Sequence, residues 1–181
     1  MKRFNEKEVL NKYPFLKMRD FDGSVYMENG EPVLMGLEIP FGWYNLFFQL
    51  CEDIRPILEK EGLLDSFYFL QVKEKFNQLI CHPSTTTDEL EEVFMKYEKL
   101  AYYVCTTCGK LAEWETTDYI ASYCIDCWKD NHRHKKVNCI KFVPTFDIRR
   151  YKNGVWVTKT IVIHEEWKRY CANNKIHNIW R

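Results

Sequence analysis

Two cysteine pairs, Cys105-Thr106-Thr107-Cys108 and Cys124-Ile125-Asp126-Cys127, stand fifteen residues apart. This C-x2-C-x15-C-x2-C spacing is that of a structural zinc site, and it constrains the fold more than any other feature of the chain. Two residues between paired cysteines let both sulfurs reach one side of a tight turn. Four thiolates then complete the tetrahedron that Zn2+ prefers, leaving no open position for water, so one structural zinc ion is expected on Cys105, Cys108, Cys124 and Cys127. Gly109 follows the first pair, where the chain must turn through a left-handed conformation. Residues 111–123 are expected to form a hairpin, and the stretch from Trp128 a short helix. A knuckle, a hairpin and a helix carrying the last ligands make a treble-clef or zinc-ribbon module. Metal binding at such sites supplies roughly 10–16 kcal/mol of folding free energy.

Eight cysteines in 181 residues would also suit a disulfide framework. Residues 1–10, however, are charged and lack the apolar segment of a secretory signal, so reduced thiols and a cytoplasmic protein are expected. Cys51, Cys81, Cys139 and Cys171 are scattered and read as free thiols packed like small hydrophobes. No apolar run approaches the ~20 residues of a membrane span, so no membrane partner is expected.

The net charge is zero but unevenly spread. Trp128 to Arg181 carries 13 Lys/Arg and 4 Asp/Glu, or +9, and the remaining 13 Lys/Arg and 22 Asp/Glu leave the rest at −9. Such asymmetry points either to an acidic partner for the basic end or to internal compensation. Lys129, Arg133, Lys135, Lys136, Lys141, Arg149, Arg150 and Lys152 are the candidate contacts to a nucleic acid or another partner, interleaved with Phe142, Phe146 and Tyr151.

Asn5 reads as the cap of a short helix ending before Pro14. After Gly42, Trp43, Leu46, Phe47, Leu50, Ile54, Ile57 and Leu58 recur at helical spacing, with Pro56 expected to kink or restart the helix and Gly62 to end it. Residues 67–72 read as a strand, with 79–81 as its hairpin partner and His82-Pro83 as its end. Thr87 or Asp88 caps a second helix whose apolar face is Leu90, Val93, Phe94, Tyr97, Leu100 and Ala101. Further strands are expected over 139–146, 148–151 and 155–163, the last two joined at Asn153-Gly154, and a helix over 165–172. The expected fold is α+β: two amphipathic helices packed on short antiparallel strands, a treble-clef/zinc-ribbon module and a C-terminal β-hairpin. Its divisions are 1–103, 104–136 and 137–181.

No phosphate-binding glycine loop, H-E-x-x-H, nucleophile elbow or deaminase pattern occurs. Asn131, His132 and His134 resemble part of an HNH nuclease motif, yet residues 109–127 hold no histidine to serve as general base. Those histidines are also the alternative metal ligands. No enzymatic activity is expected.

Tyr13-Pro14-Phe15-Leu16, Gly36-Leu37-Glu38-Ile39 before Gly42-Trp43, the string Gln71-Val72-Lys73-Glu74-Lys75-Phe76, and Glu98 ahead of the cysteine pairs together resemble a family of small bacteriophage and prophage proteins. The resemblance covers residues 10–130. It departs after Phe76, where Asn77-Gln78-Leu79-Ile80-Cys81 replaces the family's glycines and Leu-Arg-Phe stretch. It implies a phage accessory protein with a zinc module, acting in the host cytoplasm. By analogy with anti-CRISPR and other anti-defence proteins, it would inhibit or modulate a host protein or ribonucleoprotein complex such as a CRISPR effector. A DNA- or RNA-binding regulator is the alternative, and an HNH-like nuclease the lesser one.

Overall fold

The structure is a computed structural model and describes residues 5–117, 119–131, 137–139 and 145–162. It opens with helix α1 (Glu6–Lys12), whose first turn is capped by the Asn5 side chain accepting from the Glu8 N–H. A single 3-10 turn, Pro14–Leu16, then drives Phe15 and Leu16 into the core. Three two-residue strands follow: β1 (Met27–Glu28), β2 (Glu31–Pro32) and β3 (Leu37–Glu38).

Helix α2 (Tyr44–Lys60) is the core's central element, burying Leu46, Phe47, Phe48, Leu50, Cys51, Ile54 and Leu58. Pro56 lies inside it, and the helix continues through that residue to Lys60 rather than breaking. Strands β4 (Phe69–Lys75) and β5 (Gln78–Pro83) form an antiparallel hairpin, the first strand beginning and ending later than the expected 67–72. β5 runs through His82 to Pro83, the terminal rung opposite Phe69, where the missing N–H of proline is tolerated. β3 pairs with β4 in parallel, so this sheet is mixed, not wholly antiparallel.

Helix α3 (Asp88–Ala101) is capped by Thr87, whose Oγ1 accepts from the Leu90 N–H, and acidic Asp88, Glu89 and Glu91 occupy the favourable end of its dipole. Leu90, Tyr97, Leu100 and Ala101 face inward. Between the helices, Phe15, Phe47, Phe67 and Phe69 pack edge-on or tilted, with Phe67 and Phe69 ring centres 5.2 Å apart. Strands β6 (Trp114–Thr116) and β7 (Ser122–Tyr123) make a short hairpin leading to helix α4 (Ile125–Asn131). β8 (Val137–Cys139) adds to the free side of β6. Finally β9 (Thr145–Lys152) and β10 (Val155–Val162) form a ribbon turning at Asn153-Gly154, both with positive φ, as the Asn-Gly signal requires. Of the strand expected over 139–146, Cys139 ends β8 and residues 145–146 begin β9, while residues 140–144 and the helix expected over 165–172 fall outside the described residues. No helix among the described residues is long and apolar enough to cross a membrane.

One ionic contact lies within the helical core. Lys96 Nζ of α3 sits 2.7 Å from Asp53 Oδ2 of α2, and Tyr97 OH donates to the same oxygen at 2.9 Å. The two charged side chains are only 10% and 9% exposed, so each depends on the other for its solvation. Lys96→Met should therefore cost about 3–5 kcal/mol by leaving Asp53 buried and half-paired. Urea denaturation should also show the double change Lys96→Met with Asp53→Leu recovering most of that loss.

Candidate metal centre

The first cysteine pair is held in a backbone knuckle. The Cys105 N–H donates to Lys110 O at 2.8 Å, and the Gly109 N–H donates to Cys105 O at 2.9 Å. Gly109 takes φ +78°, the left-handed turn anticipated from its position. The second pair is positioned by a helix instead. Cys124 precedes α4, and the Trp128 N–H donates to Cys124 O at 2.9 Å, which places Cys127 in the first turn. Hairpin β6–β7 carries the chain between them, giving the treble-clef order of knuckle, hairpin and helix.

The four Sγ atoms all lie within 4.8 Å of one another, and those of Cys108 and Cys124 are 3.5 Å apart. A tetrahedron with metal–sulfur bonds of about 2.3 Å needs sulfurs about 3.8 Å apart, so small side-chain rotations suffice for all four to bind one ion. Cys105 and Cys124 are buried, Cys127 is half-buried and Cys108 is exposed. Burial opposes ionisation of Cys105, but backbone N–H groups of Cys124, Cys108 and Thr107 outweigh it and draw its pKa below the ordinary thiol value. Burial pushes the Cys108 thiol up to about 11 and raises that of Cys127 further. The metal-free site therefore holds protons at neutral pH, and a metal ion must displace them.

The centre is fastened to the helical core at two points. At the first, Gly42, just ahead of α2, lies against the knuckle. Its N–H donates to Thr106 O at 2.9 Å, and a Cβ added there would stand 2.1 Å from Cys105 O and 2.7 Å from Gly109 N. The neighbouring Trp43, fully buried, donates its indole N–H to Val104 O at 3.0 Å. At the second, the Asn77 side chain, fully buried at the β4–β5 turn, donates to Ser122 Oγ at 2.5 Å, and Ser122 Oγ donates to Tyr102 O. Tyr119 OH reaches Glu74 at 2.8 Å beside it. Gly42, Trp43 and Asn77 are the residues that sequence reasoning missed. The Gly-Trp pair marked a helix start, but nothing in its spacing links it to a cysteine more than sixty positions on.

The basic candidates are placed less completely. Lys129 is exposed on α4, and Arg149 is exposed on β9. Arg150 and Lys152 also lie on β9, their side chains outside the description, and Arg133, Lys135, Lys136 and Lys141 fall outside the described residues altogether. So do His132 and His134, the alternative ligands. Among the remaining cysteines, Cys51 is a buried free thiol and Cys81 a half-buried one. The chain matches no protein-family model, no curated protein and no solved structure.

Two outcomes are expected. Metal uptake should release protons, and affinity should fall as pH falls, because the protons that the metal must displace from the raised Cys108 and Cys127 thiols compete better as their concentration rises; a competition titration against a chromogenic chelator at pH 6 and pH 8 measures this. Gly42→Ala should cost at least roughly 1–3 kcal/mol, the usual penalty of overpacking, because its Cβ meets backbone that cannot rotate away. Chemical denaturation of the metal-loaded variant beside the parent checks that loss.

Proposed function

We propose that this chain is a non-enzymatic, zinc-stabilised binding protein that docks onto a partner protein through the ribbon β9–β10. The donor set supports zinc: four thiols in tetrahedral reach are a closed shell, suited to holding shape rather than to activating water. The single observation that carries the binding reading is the exposure of the ribbon. Trp156 is 70% exposed, and Val155, Val157 and Val162 are also exposed. Register partners share a face of an antiparallel pair, so Ile148, Lys159 and Ile161 form one face. Ile148 and Ile161 are buried there, and Lys159 Nζ pairs with Glu92 of α3 at 2.6 Å. The opposite face bears Trp156, Thr158, Thr160 and Val162, with Arg149 and Asp147 across from them. Exposed tryptophan beside arginine matches interface hot spots, in which both residue types are enriched.

The resemblance to phage proteins supports a setting in the host cytoplasm, with the partner a host protein or ribonucleoprotein complex of the defence machinery, a CRISPR effector in particular. A second reading is favoured by the charge on β9. Arg149, Arg150 and Lys152 lie on one strand beside Tyr151, opposite Trp156, which suits phosphates and stacked bases of DNA or RNA.

Affinity capture from host extract, comparing the parent with Trp156→Ser and Val162→Asp, both on the exposed face, tests the first reading. A specific protein should be retained by the parent and lost from both variants, with zinc content unchanged. Titration against labelled single-stranded DNA and RNA at two salt concentrations tests the second. Micromolar binding that collapses with salt would favour it and count against the protein partner.

A further inference from the structure

A groove opens where β3 leaves β4. Their parallel pairing covers only Leu37 with Val72 and Glu38 with Lys73. Ahead of Leu37 the chain turns away: the Met35 N–H donates to Leu16 O at 2.9 Å, and Leu34 bridges to Lys17. On β4 the register slips between Phe69 and Gln71, and the side chain of Leu70, at the slip, is left 66% exposed. Between the diverging segments runs a groove of about 900 Å³.

Met35 and Phe69 are the groove's buried members, while Met18 and Leu70 on its lining are exposed. Phe21, also lining it, is fully exposed at the tip of a turn. That turn is held by the Gly23 N–H donating to Asp20 O at 2.9 Å, and by the Ser24 N–H donating to Asp22 Oδ1 at 2.9 Å. An aromatic ring displayed on so constrained a turn loses little entropy when covered. Arg19 supplies the polar group. Its guanidinium lies 5.1 Å over the Tyr68 ring and donates from Nη1 to Gly23 O, but its Nε is buried with no hydrogen-bond partner among the described residues. Asp20 and Glu38, both exposed carboxylates, also line the groove, in the part of the chain that carries net negative charge.

We propose that this groove takes an extended segment of a partner protein, laid along β4 at Leu70 as an added strand. A branched apolar side chain of the segment packs among Met18, Phe21, Met35 and Leu70. Lys or Arg on its flanks faces Asp20 and Glu38. The extended form follows from the gap, which lies between two extended segments and beside a strand paired there on one side only. The basic flanks follow from charge complementarity. This surface shares no residue with the ribbon β9–β10, so it stands or falls separately from the function proposed above.

Gly36 gives a clean test. It lines the groove, its φ is not left-handed, and a Cβ built on it meets nothing within 4 Å. Gly36→Leu therefore fills the groove without straining the backbone. The 15N-labelled, metal-loaded full chain is titrated with a pool of blocked heptapeptides that vary Val, Leu, Ile and Phe at three central positions. Lys stands at both ends of each, and a matched pool carries Glu there instead. The Gly36 and Leu70 amides and the Arg19 Nε–H resonance should shift with the Lys pool, which should bind at least tenfold tighter than the Glu pool. Gly36→Leu and, as a second variant on an exposed side chain, Leu70→Ser should each weaken binding at least tenfold, with metal content and the β9–β10 resonances unchanged. The proposal is overturned by equal binding of the two pools, by no shift at millimolar peptide, by shifts confined to other surfaces, or by full affinity in both variants. Equal shifts from N-acetyl-leucinamide alone would also overturn it, identifying a small-molecule pocket instead. If the peptides fail while capture through Trp156 succeeds, the groove is refuted and the binding reading survives.

Discussion

The contact between Gly42 and the cysteine knuckle is the constraint on which the rest of the structure depends. A helix start and a metal loop approach so closely that no side chain fits between them, and the indole N–H of Trp43 closes the same junction by bonding Val104 O. The knuckle is thereby set against the N-terminal end of α2, the helix with the most buried residues. Metal ligation and core packing each hold the same few backbone atoms. A metal site of this kind supplies folding free energy, and here that energy reaches the central helix through backbone contacts rather than through a flexible linker.

The second fastening shows how the hairpin β4–β5 is recruited to the same end. Its turn, Phe76-Asn77, places two non-glycine residues at positive φ, a conformation in which Asn is tolerated and a bulky aromatic is disfavoured. Asn77 is fully buried, its Nδ2 donating to Ser122 and its backbone N–H donating to Glu74, so the tertiary contact holds a turn that local preference would not choose. Ser122 in turn fixes Tyr102 and Thr106, the latter next to Cys105. Hairpin, helix start and metal loop thus share one network.

Much of this was legible in the chain itself because it rests on local rules. Cysteine spacing marks the ligands, the 3.6-residue period marks α2 and α3, Thr87 marks a cap, and Asn153-Gly154 marks the ribbon turn. What was not legible depends on partners far along the sequence. Gly42 looks like an ordinary helix-initiating glycine until Cys105 is beside it. The parallel pairing of β3 involves two rungs, too few to leave a pattern. Pro56 was expected to kink or restart α2; the helix does not restart, because the buried side chains on either side of it, Ile54 and Leu58, keep both halves on one core. The groove at Arg19 was invisible for the same reason: it is made by two segments parting, which no single segment encodes.

The most direct test of this account is native-state hydrogen exchange of the α2 amides before and after the metal is removed with a chelator. If the knuckle anchors the helix, removal should speed exchange first in the opening turn of α2, from Tyr44 to Phe48, together with the indole N–H of Trp43. Protection throughout α2 that is unchanged by chelation, with faster exchange confined to residues 104–131, would contradict it and make the metal centre an appendage.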